Sequence, residues 1–188
     1  MIFRRRRVTM KALAFAGHWP ESLPFGEDEL SPACIRLKAL MLDEIMKRAE
    51  AGYATFYCGA ARGADLIFGR QVLLVKETSY PDIRLVCVIP HEGQANSWSE
   101  KWRERYFTLL EQADDNVLIS ARYTPDCYHQ RNRYMVDHSD VLLAVYNGDG
   151  SGGTAYTVKY ACHQNKETIV LDPVTLERRV VPPRLQAL

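Results

Sequence analysis

Two glycine-rich turns carry the side chains best suited to chemistry in this sequence. They are Gly59-Ala60-Ala61-Arg62-Gly63-Ala64-Asp65 and Gly148-Asp149-Gly150-Ser151-Gly152-Gly153-Thr154. Each follows a short apolar, β-rich run, residues 54–58 and 141–146, and each precedes a segment with helical spacing. A turn of this kind leaves backbone N–H groups at the positive end of a helix dipole, where they bind phosphate. Gly59 and Gly63 permit positive φ and the close approach of a ligand. Arg62 offers a fork of donors to phosphate or carboxylate. Asp65, in the first helical turn, either caps free amides or accepts from ribose hydroxyls. In the second turn Gly152 and Gly153 form a concave nest of amides. Thr154 adds a hydroxyl or a helix cap, and Asn147 and Gly148 shape the loop's entry. Together the turns imply a phosphate-bearing ligand, most simply a nucleotide or a phosphorylated ribose.

Other chemistry-bearing residues follow strand-like runs. Gly17 and His18 end the first, at the border of the expected base or sugar, and Pro90 and His91 end the third. Arg131 and Met135 lie four apart on one helical face, the first reaching toward the cleft and the second packing beneath it. Asp140 fixes the turn into the next strand. The candidate catalytic groups are Asp65, Glu92 and Arg131. Metal chemistry finds no ligand set: Cys127 with His129, Cys162 with His163, and His91 with Glu92 lack a matching second pair. There is no G-x-S-x-G, Walker A or G-x-G-x-x-G signature, which argues against a triad hydrolase, a P-loop NTPase and NAD-linked hydride transfer. Trp98 and Trp102, four apart on one helix face beside Lys101, Arg103 and Arg105, suit base stacking or core packing, and packing is the simpler account.

The elements that must position these residues alternate. Strands are predicted over 11–16, 54–58, 83–89, 116–120, 141–146 and 168–171. Helices are predicted over 34–51, with Ser31 as cap and Gly52 as stop, then over 64–76, from Ser97 or Ser99 to 113, over 127–138 and over 154–164. Residues 19–32 and the tail from Pro173 read as irregular. Short apolar strands separated by helices make a parallel sheet buried on both faces. The expectation is therefore a single-domain, Rossmann-like, doubly wound α/β sandwich over 10–173. A basic arm over 1–9 and an irregular tail over 174–188 flank it. Ligands of such sheets bind outside the carboxyl ends of the strands, where all the segments above fall.

The chain has 188 residues, 47% hydrophobic and 25% charged, with a net charge of +1. Without Arg4–Arg7, twenty basic residues face 23 acidic ones, a balance of −3. The body is mildly acidic, which argues against nucleic acid as partner, and the positive charge is an N-terminal arm. The apolar run after that arm is too short for an export signal. No stretch suits a membrane span. Five cysteines without paired spacing point to a reducing, cytoplasmic setting.

In their order, Met10-Lys11-Ala12-Leu13-Ala14-Phe15-Ala16-Gly17-His18, the Gly59–Asp65 turn, Arg131-Asn132-x-x-Met135 and Gly152-Gly153-Thr154 resemble the YpsA-like proteins of the SLOG superfamily, over residues 10–173. The resemblance implies a Rossmann-like fold that senses or processes nucleotide-derived ligands. It extends to two relatives. The Lonely Guy phosphoribohydrolases carry R-K-x-x-M, matched by Arg131 and Met135, and P-G-G-x-G-T-x-x-E, matched by Gly153 and Thr154. Their catalytic glutamate falls on Thr157 here, which cannot activate water or stabilise an oxocarbenium ion as a carboxylate does. In DprA, a binder of single-stranded DNA, a G-x-A-R-G-I-D turn is similar to Ala61–Asp65. The leading expectation is a binding or sensor domain for ADP-ribose or a nucleoside phosphate, with no certain cofactor. The alternatives are an N-glycosidic phosphoribohydrolase using Asp65 or Glu92 with Arg131, and a single-strand nucleic-acid module. Side-by-side homo-oligomers through exposed helices are common for such folds.

Overall fold

Side-chain alternation along the first strand, β1 (Lys11–Gly17), sets the layers of the molecule. Leu13 and Phe15 project to one face, Ala14 and Ala16 to the other, and all four are buried. In the computed structural model, which describes residues 10–182, β1 lies at the centre of one seven-stranded sheet. The expected arm over 1–9, with Arg4–Arg7, lies outside the described residues, as do residues 183–188.

The chain continues through α1 (Pro32–Glu50), β2 (Tyr53–Cys58), α2 (Ala64–Thr78), β3 (Arg84–Ile89), α3 (Glu100–Gln112) and β4 (Asp115–Leu118). It then returns through α4 (Cys127–Asp137), β5 (Val141–Val145), α5 (Gly152–His163), β6 (Glu167–Leu171) and β7 (Arg178–Val181). The strand order is β4-β3-β2-β1-β5-β6-β7. The first six strands are parallel, and β7 runs antiparallel to β6. This is the doubly wound, Rossmann-like architecture that the strand and helix alternation predicts.

The large side chains of β1 face α1, α2 and α3, where Leu13 and Phe15 join Met41, Ile45, Phe68 and Leu109 in one core. Phe15 stacks on Phe68 with ring centroids 4.2 Å apart. The small side chains face α4 and α5, where Ala14 and Ala16 join Leu142, Ala144, Met135 and Val158. Two carboxylates anchor the strand starts from neighbouring loops. Asp140 Oδ2 accepts from the Ala12 amide at 2.8 Å, and Asp114 Oδ2 from the Leu85 amide at 2.8 Å. Ser31 caps α1, its Oγ accepting from the Cys34 amide at 3.3 Å.

Three expectations are corrected. The tail after Pro173 is not wholly irregular, because Arg178–Val181 pairs with β6 as an edge strand. The ordered sheet thus extends past residue 173. The loop over 19–32 contains a short 3-10 turn, Pro20–Ser22. Trp98 lies before α3 and shares no helical face with Trp102. It packs edge-on against Tyr106, centroids 5.4 Å apart, while Trp102 is buried and donates to Glu27 Oε1 at 2.8 Å.

Candidate functional site

The strand order creates the site. From β1 the chain winds outward to β4, and it resumes at β5 on the other side of β1. The connections leaving β1 and β5 therefore diverge, which opens a crevice at their carboxyl ends. A cavity of about 580 Å³ fills that crevice, within the range of about 300–1,000 Å³ typical of small-molecule sites. Of the residues expected from sequence, Gly17, His18, Arg62, Asp65, Arg131, Gly152, Gly153 and Thr154 line it. Gly59, Gly63, Pro90, Glu92, Asn147 and Gly148 lie off its wall. Glu92 is exposed beyond β3, away from the cavity, so the structure gives it no place as a catalytic group there.

The two glycine turns are built differently. At the start of α2, Gly63 has φ +86°, and a Cβ there would lie 2.7 Å from His18 O and 3.0 Å from Pro20 Cδ. The Ala64 amide donates to His18 O at 3.1 Å. At Gly59 a Cβ would strike the Arg131 guanidinium and lie 2.7 Å from Asp65 Oδ2. The close approach that Gly59 permits is made by Arg131 rather than by a ligand, and the room at Gly63 is filled by the tail of β1. Asp65, buried in the cavity wall, accepts from the Ala61 amide at 3.4 Å. Burial pushes its carboxyl up to about 6, against the Arg131 charge and the amides of Ala61, Gly17 and Gly59, which favour the ionised form.

The second turn keeps open only the amides at its helical end. Its loop is held from within: Asp149 N donates to Asn147 Oδ1, Gly150 N to Tyr146 Oη at 2.6 Å, and Ser151 N to Asp149 Oδ1. Asn147 Oδ1 also lies 3.1 Å from His18 Nε2, which ties the β5 loop to the tail of β1. α5 begins at Gly152, two residues earlier than expected, so both glycines sit inside its first turn. Amides of a first turn have no intrahelical partner, and Ser151 makes no side-chain cap bond to them. Gly152, Gly153 and Thr154 thus bring N–H groups and the helix dipole to the cavity.

Arg131 connects the two turns. It is buried on α4, donating from Nη1 to Gly59 O and from Nε to Asn132 Oδ1, both at 2.7 Å. Asn132 Nδ2 donates on to Gly153 O at 3.5 Å. Gln94, which the sequence did not single out, donates to the same Gly59 O and to Ala60 O, both at 3.2 Å. Arg62 is already paired: Nη2 lies 3.0 Å from Glu21 Oε1, and the guanidinium sits 5.2 Å from the Trp19 ring centroid. Thr157, at the place of the glutamate in the phosphoribohydrolase motif, is fully buried and donates its hydroxyl to Gly153 O at 2.8 Å.

The surroundings limit other chemistry. All five cysteines are free and buried. Burial and the nearby Asp65 carboxylate raise the Cys58 thiol well above its usual range and the Cys87 thiol to about 12, so both remain protonated. Among the described residues no group of three or more His, Cys, Asp or Glu side chains could hold a metal ion. No described helix is long and apolar enough to cross a membrane.

Known proteins are similar to this chain over most of its length. A UPF0398 protein of Bacillus pumilus (strain SAFR-032) is 30% identical over 155 residues, covering 81% of this chain and 82% of its own length. A UPF0398 protein of Bacillus cereus (strain B4264) is 30% identical over 155 residues, with 81% and 83% covered. The model of the YpsA family, described as the YspA SLOG family, matches residues 13–178, a span that begins within β1 and ends at the first residue of β7. With its central sheet, all five helices and the cavity-lining segments inside that match, the chain belongs to the YpsA SLOG family.

Proposed function

We propose that this chain binds a nucleotide-derived, phosphate-bearing ligand, ADP-ribose or a nucleoside phosphate, in the cavity beside β1 and β5. The observation that carries the reading is the uncapped start of α5 opening on a cavity that Arg131 also lines. Gly152, Gly153 and Thr154 would hold a phosphate through amides and the Thr154 hydroxyl. Asp65, across the cavity, would accept from ribose hydroxyls. The test is calorimetry with adenosine 5′-monophosphate and ADP-ribose on the parent and on Gly153→Asp. A Cβ at Gly153 meets nothing nearer than Asn132 Nδ2 at 3.8 Å. The variant should therefore fold as the parent while its carboxylate repels the phosphate. Equal affinity of parent and variant overturns the reading.

A second reading rests on Asp65. A buried carboxyl at about 6, in a cavity wall beside an arginine, suits a general acid at neutral pH. The reaction would be hydrolysis of the N-glycosidic bond of a nucleoside 5′-monophosphate, with proton transfer by Asp65 in place of the glutamate that Thr157 replaces. Release of free base, abolished in Asp65→Asn, supports it; intact substrate after prolonged incubation removes it. Five buried free thiols favour a reducing compartment for either activity.

A further inference from the structure

The cavity has an aromatic end that the phosphate reading does not use. Trp19, on the segment leaving β1, lines the cavity and is 44% exposed, so part of its ring is open to a guest there. The indole is not loose. Arg62 lies 5.2 Å from its ring centroid and is itself fixed by Glu21 at 3.0 Å. Trp98 approaches the same guanidinium at 6.0 Å. Arg62 Nε is shut off from solvent, so the guanidinium braces the indole rather than facing a guest.

The positions of these groups follow from the sheet order β2-β1-β5. The open amides of α5 follow β5, whereas Arg62 follows β2, two strand spacings or about 10 Å away. Trp19 stands on the β1 tail between them. The β5 side of the cavity therefore offers helix-start amides, and the tail of β1 beside it a held aromatic plane.

We infer that Trp19, braced by Arg62, is the stacking platform for a nucleobase, so the ligand is a nucleoside phosphate rather than a bare sugar phosphate. This rests on the phosphate reading above and adds the selection of the base. Stacking on an aromatic side chain carries no information about which base is present, so the site selects for a planar ring and not for one base.

Calorimetry with ribose 5-phosphate and adenosine 5′-monophosphate tests it, on the parent, Trp19→Ala and Trp19→Phe. In the parent the nucleotide binds about 10-fold tighter than the sugar phosphate. Trp19→Ala removes that preference and leaves ribose 5-phosphate affinity unchanged; Trp19→Phe keeps most of it. Binding of the nucleotide quenches indole fluorescence in the parent, and the quench is lost in Trp19→Phe, where Trp98 and Trp102 remain. Equal binding of the two ligands by the parent, or an undiminished preference in Trp19→Ala, overturns the platform while leaving the phosphate site standing. Failure of both ligands to bind overturns the phosphate site and the platform with it.

Discussion

Asp65 meets a very different environment in the fold from that of its unfolded chain. Its carboxyl titrates near 3.8 in water and near 6 in the fold. Between those values the folded state holds more protons than the unfolded one, so stability falls as pH rises through that window and is level above it. The loss amounts to about 3 kcal/mol for a shift of this size. Asp65→Asn keeps an acceptor for the Ala61 amide but has no charge to bury. Urea unfolding at pH 4 and pH 7 should show the variant gaining on the parent as pH rises; a difference that does not change with pH refutes the assignment. Gly59 yields a second prediction. A methyl group there displaces the Arg131 guanidinium, so Gly59→Ala should cost about 1–3 kcal/mol by overpacking. Denaturant midpoints measure it, and a neutral outcome would mean that Arg131 has another resting place.

At the scale of elements, β7 is held to the body by more than its ladder with β6. Arg178, its first residue, pairs with Glu44, a carboxylate of α1 that is almost wholly buried. Removing one partner of such a pair leaves an uncompensated charge, so Arg178→Ala should destabilise by about 3 kcal/mol. Adding Glu44→Gln should recover much of that loss, which a double-mutant cycle by thermal unfolding will read. This strand was not legible in the sequence. Arg178-Arg179-Val180-Val181 is short, half charged and exposed, and its strand character comes from β6 alongside it. By contrast β1, β3 and β5 are nearly all apolar because both their faces are covered, and such runs can be read without a structure. The start of α5 was misplaced because glycine carries no helical preference of its own. In the site, the amide nest was visible as spacing. The Arg131–Gly59 contact and the Arg62–Glu21–Trp19 cluster were not, since each joins groups from segments far apart in sequence that only the folded sheet brings together.

For the molecule as a whole, a ligand bridging the β5 and β2 sides of the crevice would bind only the folded state. At 100 times its dissociation constant it would add about 2.7 kcal/mol. For a chain of this length that is a rise of roughly 5–10 °C in Tm, readable in a thermal shift against a panel of nucleotides. The thiols offer a different view of the same equilibrium. Cys34 lies on α1, Cys58 on β2, Cys87 on β3, Cys127 on α4 and Cys162 on α5, every one shielded from solvent. An alkylating reagent can reach each sulfur only when the element bearing it parts from its neighbours. Five natural clocks are thus distributed across both layers, and their separate labelling rates, followed by mass spectrometry, would show which parts of the molecule breathe together and which a guest in the crevice holds still.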